Sequence, residues 1–380
     1  MPGGAVERPD GGRVAVSRLS EALPRKLDLR LLGLALALTL IGIAMIYSTT
    51  SGTARADLGG KQALWALLSL GVATAFLTID YRILLEYSVG IYGLTLLVLL
   101  FLPLFGSRIG GAKSWIRLGG FQVEPSELAR ISIALLLAWI LERDDRKLLR
   151  TRTLAILAGT VGLPMLLVLF QPDTGVALTY VPFLLGALFF GGMRMKWWAI
   201  LIVTGALAVG GSWFLLKDYQ KDRIRTFLDP NLAVRGAGYQ VRQARIAIGS
   251  GGVFGKGWRQ GTQSRLGFLP VRHTDFIFAA LAEEWGFVGV AVVVGLYGAL
   301  VARAFALARD ARDRGGAMLV LLLVTNIAGE AVWNVAMNVG LLPTTGITLP
   351  LISYGGSSLL ATWGMIGLML SVAYRRFVNV

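Results

Sequence analysis

Long apolar runs recur along almost the whole chain and limit what it can fold into. They begin near Leu31 and continue to Val372 with short interruptions, in a chain of 380 residues that is 55% hydrophobic and 16% charged. A helix needs about 20 mainly apolar residues to cross a bilayer. The sequence therefore predicts an all-α polytopic membrane protein and excludes a soluble domain. We predict ten spans, which begin near Leu31, Ala63, Ile83, Leu128, Leu154, Val176, Trp197, Phe276, Met318 and Leu359.

Lysine and arginine in the short loops set the predicted orientation. Basic residues cluster in the N-terminal segment, at 143–152, at 309–314 and at 375–376, and ten spans place all of these on one side. We predict that this side is cytoplasmic and that both termini lie there. The long basic loop 217–275 is then extracytoplasmic, because long loops cross the membrane largely regardless of charge.

The N-terminal segment, the net charge and the cysteine content further limit which functions the protein can have. Residues 1–26 have no apolar core and are predicted to form a disordered cytoplasmic tail, not a cleaved signal, ahead of one transmembrane domain at 27–380. The net charge of +15 fits topology signals and membrane lipid head groups on the inside. On the outside, the positive charge favours an anionic substrate. The lack of a soluble basic domain argues against nucleic acid as a partner, and the absence of cysteine excludes thiol catalysis.

A glycine-rich basic loop runs directly into an apolar helix at residues 249–289. Carboxylates on such a helix are functional candidates, because charge is costly at membrane depth. Asp275 lies where the loop becomes the eighth span and either caps the helix or serves the site. The turns around Lys256 are either plain tight turns or a phosphate cradle. His273 could act as a base or donor, although a lone histidine at a loop end is more often a surface residue.

Two further turns carry carboxylates near helix starts. Pro125 predicts the start of a helix on which Glu127 and Arg130 share one face, either as a local ion pair or in contact with substrate. Asp173, in QPDTG, either caps the next helix or contributes to the site. The amphipathic residues 107–130 are too short to span and are expected to lie in the interface or to re-enter the membrane edge.

The ninth span carries a polar stripe at four-residue spacing, formed by Asn326, Glu330, Asn334 and Asn338. The stripe either joins helices by hydrogen bonds or lines a hydrophilic cavity. The uncharged loop that follows, GLLPTTGITLPLISYGGSS, is irregular, and irregular backbone at membrane depth favours a cavity. The roles of Glu283, Glu284 and Glu330 stay open.

Several long motifs resemble the SEDS family (shape, elongation, division and sporulation), the polytopic glycosyltransferases that polymerise peptidoglycan. They are GAKSWIRLGG with EPSELAR, QPDTG, GYQVRQARIAIGSGGVFGKGWRQGTQ, LPVRHTDFIFAALAEEWGFVG and MNVGLLPTTGITLPLISYGGSS. The segments DYRILLEYSVGIYG and KDYQKDRIRTFLDP are more similar to the elongation branch, RodA, than to the division branch, FtsW. The chain departs from the family's common pattern at Glu124, where a glutamine is usual, and at Arg130, where a lysine is usual.

The resemblance implies lipid II as substrate and Asp275 as the catalytic residue that takes a proton from the acceptor sugar. It implies a class B penicillin-binding protein, a PBP2-type transpeptidase, as partner. External cations would steady the leaving pyrophosphate, and a divalent cation, Mg²⁺ or Mn²⁺, is a further candidate although the sequence shows no ligand cluster. The candidate substrate-binding residues are Lys113, Arg117, Glu127, Arg130, Lys256, Arg259, Gln263, His273 and Ser357.

Two other classes remain open from sequence. A transporter that flips lipid II would also need a polar cavity and intramembrane carboxylates, but it would need access from both faces. A scaffold that only docks other wall-synthesis proteins predicts that changing Asp275 has no effect on chemistry.

Overall fold

The computed structural model describes residues 27–109, 112–118, 121–144, 146, 148–212, 220–221, 224–225, 227, 237–269 and 271–376. The predicted tail at 1–26 and most of the charged segment 217–230 lie outside these residues.

Helices dominate the described residues, with one small sheet. The first half of the chain forms α1 (Leu29–Thr50), α2 (Leu58–Thr78), α3 (Tyr81–Glu86), α4 (Ser88–Phe105), β1 (Ser107–Ile109), β2 (Ala112–Leu118), β3 (Phe121–Val123), α5 (Pro125–Arg143), α6 (Thr151–Phe170), α7 (Thr174–Thr179) and α8 (Val181–Phe190). The second half forms α9 (Met195–Ser212), α10 (Ala237–Ser250), α11 (Thr262–Arg265), α12 (Ile277–Arg309), α13 (Arg314–Val339) and α14 (Gly356–Arg375).

The predicted all-α membrane class is confirmed. In the described part of the chain, seven helices are long and apolar enough to cross a membrane, namely α1, α2, α4, α6, α12, α13 and α14. Two shorter apolar stretches, Thr174–Phe190 and Met195–Leu207, and the 19-residue α5 account for the other three predicted spans.

The last helix lies at the centre of the bundle. Helix α14 is buried along almost its whole length and packs against α2, α5 and α13. Gly367 allows α2 to approach, since a Cβ there would lie 2.5 Å from the Ala73 carbonyl oxygen. Small residues at such crossings are how membrane helices gain close backbone packing. The centre of the bundle is therefore a tight α2–α14 contact.

The amphipathic segment after α4 forms a sheet. Its three short strands are antiparallel in the order β1-β2-β3, and Ile116 pairs with Val123 across β2 and β3. Helix α5 then begins at Pro125, as predicted. The strands leave this region too short for a span and place Ser114 and Glu124 at one end of the bundle.

Helix α12 is broken near its start, at Gly286, which has φ 65° and ψ −162°. The preceding loop crosses this break, because Lys256 N donates to Glu283 O and Phe287 N donates to Gly252 O. A Cβ on either Gly255 or Gly286 would overlap backbone atoms of the other segment. Glycine is thus required at both positions by the close approach of two backbones.

Candidate active site

Asp275 lies at the junction between the loop and α12, at what we call the site end of the bundle. Its carbonyl oxygen accepts hydrogen bonds from the side-chain amides of Asn334 and Asn338, both at 3.0 Å. Asn334 also donates to Ile347 O at 2.8 Å, which ties the following loop to the same point. The polar stripe on α13 therefore joins segments, the first of the two predicted roles.

Asp275 is not the cap of α12. The N-cap is Phe276, and its side chain makes no capping hydrogen bond. The Ala279 N–H, which has no partner within the first turn, instead donates to Asn338 Oδ1 at 3.2 Å. A residue of α13 thus caps α12. Asp275, the predicted cap, therefore lies one residue before the N-cap position that the structure shows.

The irregular loop 340–355 lies beside this carboxylate. A Cβ on Gly346 would be 3.7 Å from Asp275 Oδ2. The backbone on the other side is also tied down, since Ser353 Oγ donates to Thr274 O at 2.7 Å and Tyr354 N donates to His273 O at 2.9 Å. Asp275 itself is half-buried between these segments.

His273 is buried, with 8% of its surface exposed, which contradicts the expectation of a surface residue. Its side chain lines a small cavity of about 230 Å³ with Arg55 and Arg272. Burial, together with these two cations, lowers the pKa of His273 to about 4, so the ring is neutral at pH 7. Loop position suggested exposure, but the segment folds back on α1, where Arg272 Nε donates to Thr49 O at 2.8 Å.

Glu283 organises the glycine-rich turns from inside the bundle. Its side chain is fully buried, and it accepts hydrogen bonds from Lys256 Nζ at 2.7 Å and from Gln263 N at 2.8 Å. The N–H groups of Lys256 and Gly257 donate to carbonyls of α12. These amides are therefore not available as a phosphate cradle, and the tight-turn interpretation holds.

Glu284, the neighbouring carboxylate, has different hydrogen-bond partners. It accepts from Ser48 Oγ at 2.6 Å and from Arg259 N at 3.2 Å. The Arg259 side chain donates to Ser51 Oγ at 2.7 Å and is exposed. Both adjacent glutamates thus hold the loop 251–264 in place, and neither reaches Asp275 through a described hydrogen bond.

Glu127, Arg130 and Glu330 form a buried ion triad. Arg130 is fully buried and pairs with both carboxylates. The local ion pair predicted from spacing is therefore present, and α13 adds a third member. Glu330 precedes Asn338 by eight residues, which places the triad about 12 Å deeper along α13 than the Asp275 backbone. That depth favours a role in joining α5 to α13.

Ser357 and the sheet lie on the other side of the loop 340–355. Ser357 is buried, and its Oγ accepts from Glu124 N at 2.9 Å. Burial raises the pKa of the Glu124 carboxyl well above its ordinary value, and the carboxylates of Asp173 and Glu127 act in the same direction. Asp173 caps α7 through Val176 N at 3.1 Å, as predicted.

Two of the predicted cations, Lys113 and Arg117, belong to β2. Arg117 is exposed in β2, and the side chain of Lys113 lies outside what the structure describes. For the predicted divalent cation, the described residues contain no group of three or more histidine, aspartate or glutamate side chains that could hold it.

Sequence reasoning missed one residue that supports the site. Arg245, on α10, donates to Val339 O at 3.1 Å and to Gly340 O at 2.8 Å, at the carboxyl end of α13. A cation at a helix carboxyl end satisfies carbonyls that have no helical partner. The partners of Arg245 lie almost 100 residues further along the chain, so no local sequence signal indicates this contact.

Known proteins match the chain over nearly its full length. A family model described as a cell cycle protein, of the FtsW, RodA and SpoVE group, matches residues 28–377. The probable peptidoglycan glycosyltransferase FtsW of Trichlorobacter lovleyi is 37% identical, covering 91% of this chain and 93% of that protein. The peptidoglycan glycosyltransferase MrdB of Escherichia coli is 35% identical, covering 92% and 94%.

Solved structures agree with these relatives. The rod shape determining protein RodA of Thermus thermophilus has a TM-score of 0.70 and 31% identity, covering 93% of this chain and 98% of that one. A chain from a study of how a peptidoglycan synthase complex coordinates polymerization and crosslinking has a TM-score of 0.78 and 33% identity, covering 93% and 99%. With the buried triad, the anchored aspartate and the multi-helix membrane fold in place, the chain belongs to the SEDS family of peptidoglycan glycosyltransferases.

Proposed function

We propose that the chain polymerises lipid II into glycan strands with Asp275 as the general base. The observation that carries this assignment is the anchoring of the Asp275 backbone by Asn334 and Asn338, which places its half-buried carboxylate beside Gly346. A general base must be held rigidly where it can reach the proton that it removes.

The reaction follows as a single displacement. The Asp275 carboxylate takes the proton from the 4-hydroxyl of the acceptor N-acetylglucosamine. The acceptor oxygen then bonds to the anomeric carbon of the donor from the face opposite the pyrophosphate. The bond from that carbon to oxygen breaks, undecaprenyl pyrophosphate leaves with the electron pair, and the α-linked donor becomes a β-linked product. Cations stabilise the departing charge, and the exposed Arg117 and Arg259 are the described candidates.

The test is polymerisation of purified lipid II by wild-type protein and by the Asp275→Asn variant. We expect the variant to be slower by about 10²-fold to 10⁴-fold, which is the usual contribution of general base catalysis. The matched control is Asp57→Asn, because Asp57 is an exposed carboxylate that pairs with Lys61 in a local contact. Normal turnover by a folded Asp275→Asn protein would refute the assignment of the base.

We propose that the site end faces the outside of the cytoplasmic membrane. Arginines cluster at the opposite end, where Arg303 pairs with Asp28 and Arg376 pairs with Asp310. Because the chain has no cysteine, single cysteines can be introduced cleanly. A membrane-impermeant maleimide should label Ala54→Cys in intact cells and should not label Ala311→Cys. The reverse labelling pattern would invert the topology.

We propose that the enzyme works in elongation, with a class B penicillin-binding protein of the PBP2 type as its partner. The RodA-like segment DYRILLEYSVGIYG supports the branch, and a structural relative from a peptidoglycan synthase complex supports a crosslinking partner. Expression in rod-shaped cells depleted of their own elongation polymerase should restore cell shape. Rescue of septation alone would assign the division branch instead.

A further inference from the structure

A polar pocket lies at the end of the bundle opposite Asp275. It has a volume of about 430 Å³ and opens between α3, the last turn of α5 and the turn from α12 to α13. Helix α13 runs from one end of the bundle to the other, and its 26 residues span roughly 39 Å. Three positively charged and three negatively charged residues line the pocket, namely Arg82, Arg143, Arg312, Glu86, Glu142 and Asp313. Nothing in the proposed reaction uses this pocket.

One side of the pocket is already paired. Asp313 accepts hydrogen bonds from Tyr81 at 2.5 Å, from Arg82 Nε at 3.1 Å and from Gly316 N at 2.7 Å. These contacts fix α3 against the start of α13. Asp313 and Arg82 therefore form a rigid wall whose charges are matched within the protein.

The other side of the pocket is incomplete. The Arg143 guanidinium stacks 3.9 Å over the Trp139 ring, and its side chain is 54% exposed. Its separation from Glu142 Oε2 is 3.9 Å, which is too long for a hydrogen bond. The buried indole N–H of Trp139 has no hydrogen-bond partner among the described residues. That nitrogen has almost no exposed surface, so a ligand in the pocket would contact the exposed Arg143 and not the indole N–H.

We propose that this pocket binds the head group of a zwitterionic phospholipid with a primary ammonium, of the phosphoethanolamine type. The phosphate takes hydrogen bonds from the exposed Arg143, and the ammonium donates to Glu142. Tryptophan and arginine at the end of a membrane helix lie at head-group depth, and basic pockets between such helices bind lipid head groups. The equal number of positive and negative side chains favours a zwitterion over an anion.

The ligand can be varied while the protein stays unchanged. Binding to the purified full-length protein is measured by native mass spectrometry with phosphatidylethanolamine, its mono- and dimethyl derivatives and phosphatidylcholine, all with the same acyl chains. We expect affinity to fall stepwise along this series, by about tenfold overall, because each methyl group removes a donor to Glu142 without changing charge. Equal affinity across the series, or tighter binding of phosphatidylglycerol, would overturn the proposal. So would full competition by inorganic phosphate, which would show that a free anion is the ligand.

Variants of the protein test the two halves of the site separately. Arg143→Gln should weaken the binding of every zwitterionic lipid by about tenfold. Glu142→Gln should leave phosphatidylcholine binding unchanged and abolish the preference for phosphatidylethanolamine. The matched control is Arg152→Gln, since Arg152 is an exposed arginine on α6 that does not line the pocket. If Arg152→Gln weakened binding as much as Arg143→Gln, the affinity would reflect general surface charge and the pocket assignment would be wrong.

Discussion

Replacing Asn338 with alanine should slow glycan polymerisation without touching the reactive carboxylate. Asn338 holds three groups at once, since its Oδ1 accepts from Ala279 N at 3.2 Å and its amide donates to Asp275 O at 3.0 Å and to Asn334 O at 2.9 Å. All of its side chain is buried. The alanine variant leaves the Ala279 N–H unpaired and leaves the Asp275 carbonyl with Asn334 alone.

The magnitude follows from these contacts. An orphaned buried N–H costs about 1–3 kcal/mol, and the lost hydrogen bond to Asp275 is worth about 1 kcal/mol, which gives about 2–4 kcal/mol. If that energy reappears as displacement of Asp275 from its reactive position, then about 1.4 kcal/mol per factor of ten predicts turnover between about 30-fold and about 1,000-fold slower.

The assay is initial-rate polymerisation of lipid II, alongside thermal unfolding of the same preparations. The matched control is Asn326→Ala, which removes an asparagine from the same stripe about 18 Å away and breaks its 2.7 Å hydrogen bond to Thr179 O. We expect that control to lose stability but to keep turnover. Unchanged turnover in a folded Asn338→Ala protein, or an equal loss in Asn326→Ala, would refute the positioning role of Asn338.

Three further predictions concern stability, each measured by thermal unfolding in detergent. Arg130→Met should lower the free energy of unfolding by about 3–5 kcal/mol, because it leaves Glu127 and Glu330 buried without a cation. Arg130→Lys should lower it less. Equal stability of Arg130→Met and wild type would contradict the triad. Gly255→Ala should strongly destabilise the protein, because the φ of +78° is unfavourable for alanine and the new Cβ would overlap Glu284 O. Gly249→Ala should have little effect, because a Cβ there meets open space. His273 has its pKa lowered to about 4, so between about pH 6.5 and pH 4 the unfolded chain binds more protons and stability should fall as pH falls through that window. His273→Gln should flatten this part of the pH profile, and an unchanged profile would argue against a buried neutral imidazole.

Sequence patterns predicted the local features of this protein well. Spacing along one helix predicted the Glu127–Arg130 pair and the α13 stripe, because neighbours three or four residues apart share a helical face. Turn chemistry predicted the Pro125 helix start and the Asp173 cap. These features depend on a few consecutive residues, so a single sequence contains all the information that they need.

Long-range partners could not be predicted in the same way. Glu330 completes the Arg130 triad from 200 residues away, and Glu283 pairs with Lys256, a predicted substrate-binding cation, at 2.7 Å. The burial of His273 depends on how its loop folds onto α1. Each of these contacts depends on how helices pack against one another, and the periodicity of a sequence does not encode that packing. Several charged residues that the sequence suggested for a site therefore also hold loops in place.

The break in α12 has a consequence for how this region opens and closes. At the break, loop atoms replace the missing helical partners, since Lys256 N and Gly257 N donate to Glu283 O and Glu284 O, and Phe287 N and Val288 N donate to Gly252 O and Val253 O. Neither segment can unfold alone without breaking the backbone hydrogen bonds of the other. Amides of 256–257 and 287–288 should therefore exchange with solvent deuterium at one common rate, as a single cooperative unit that includes residues far apart in the chain.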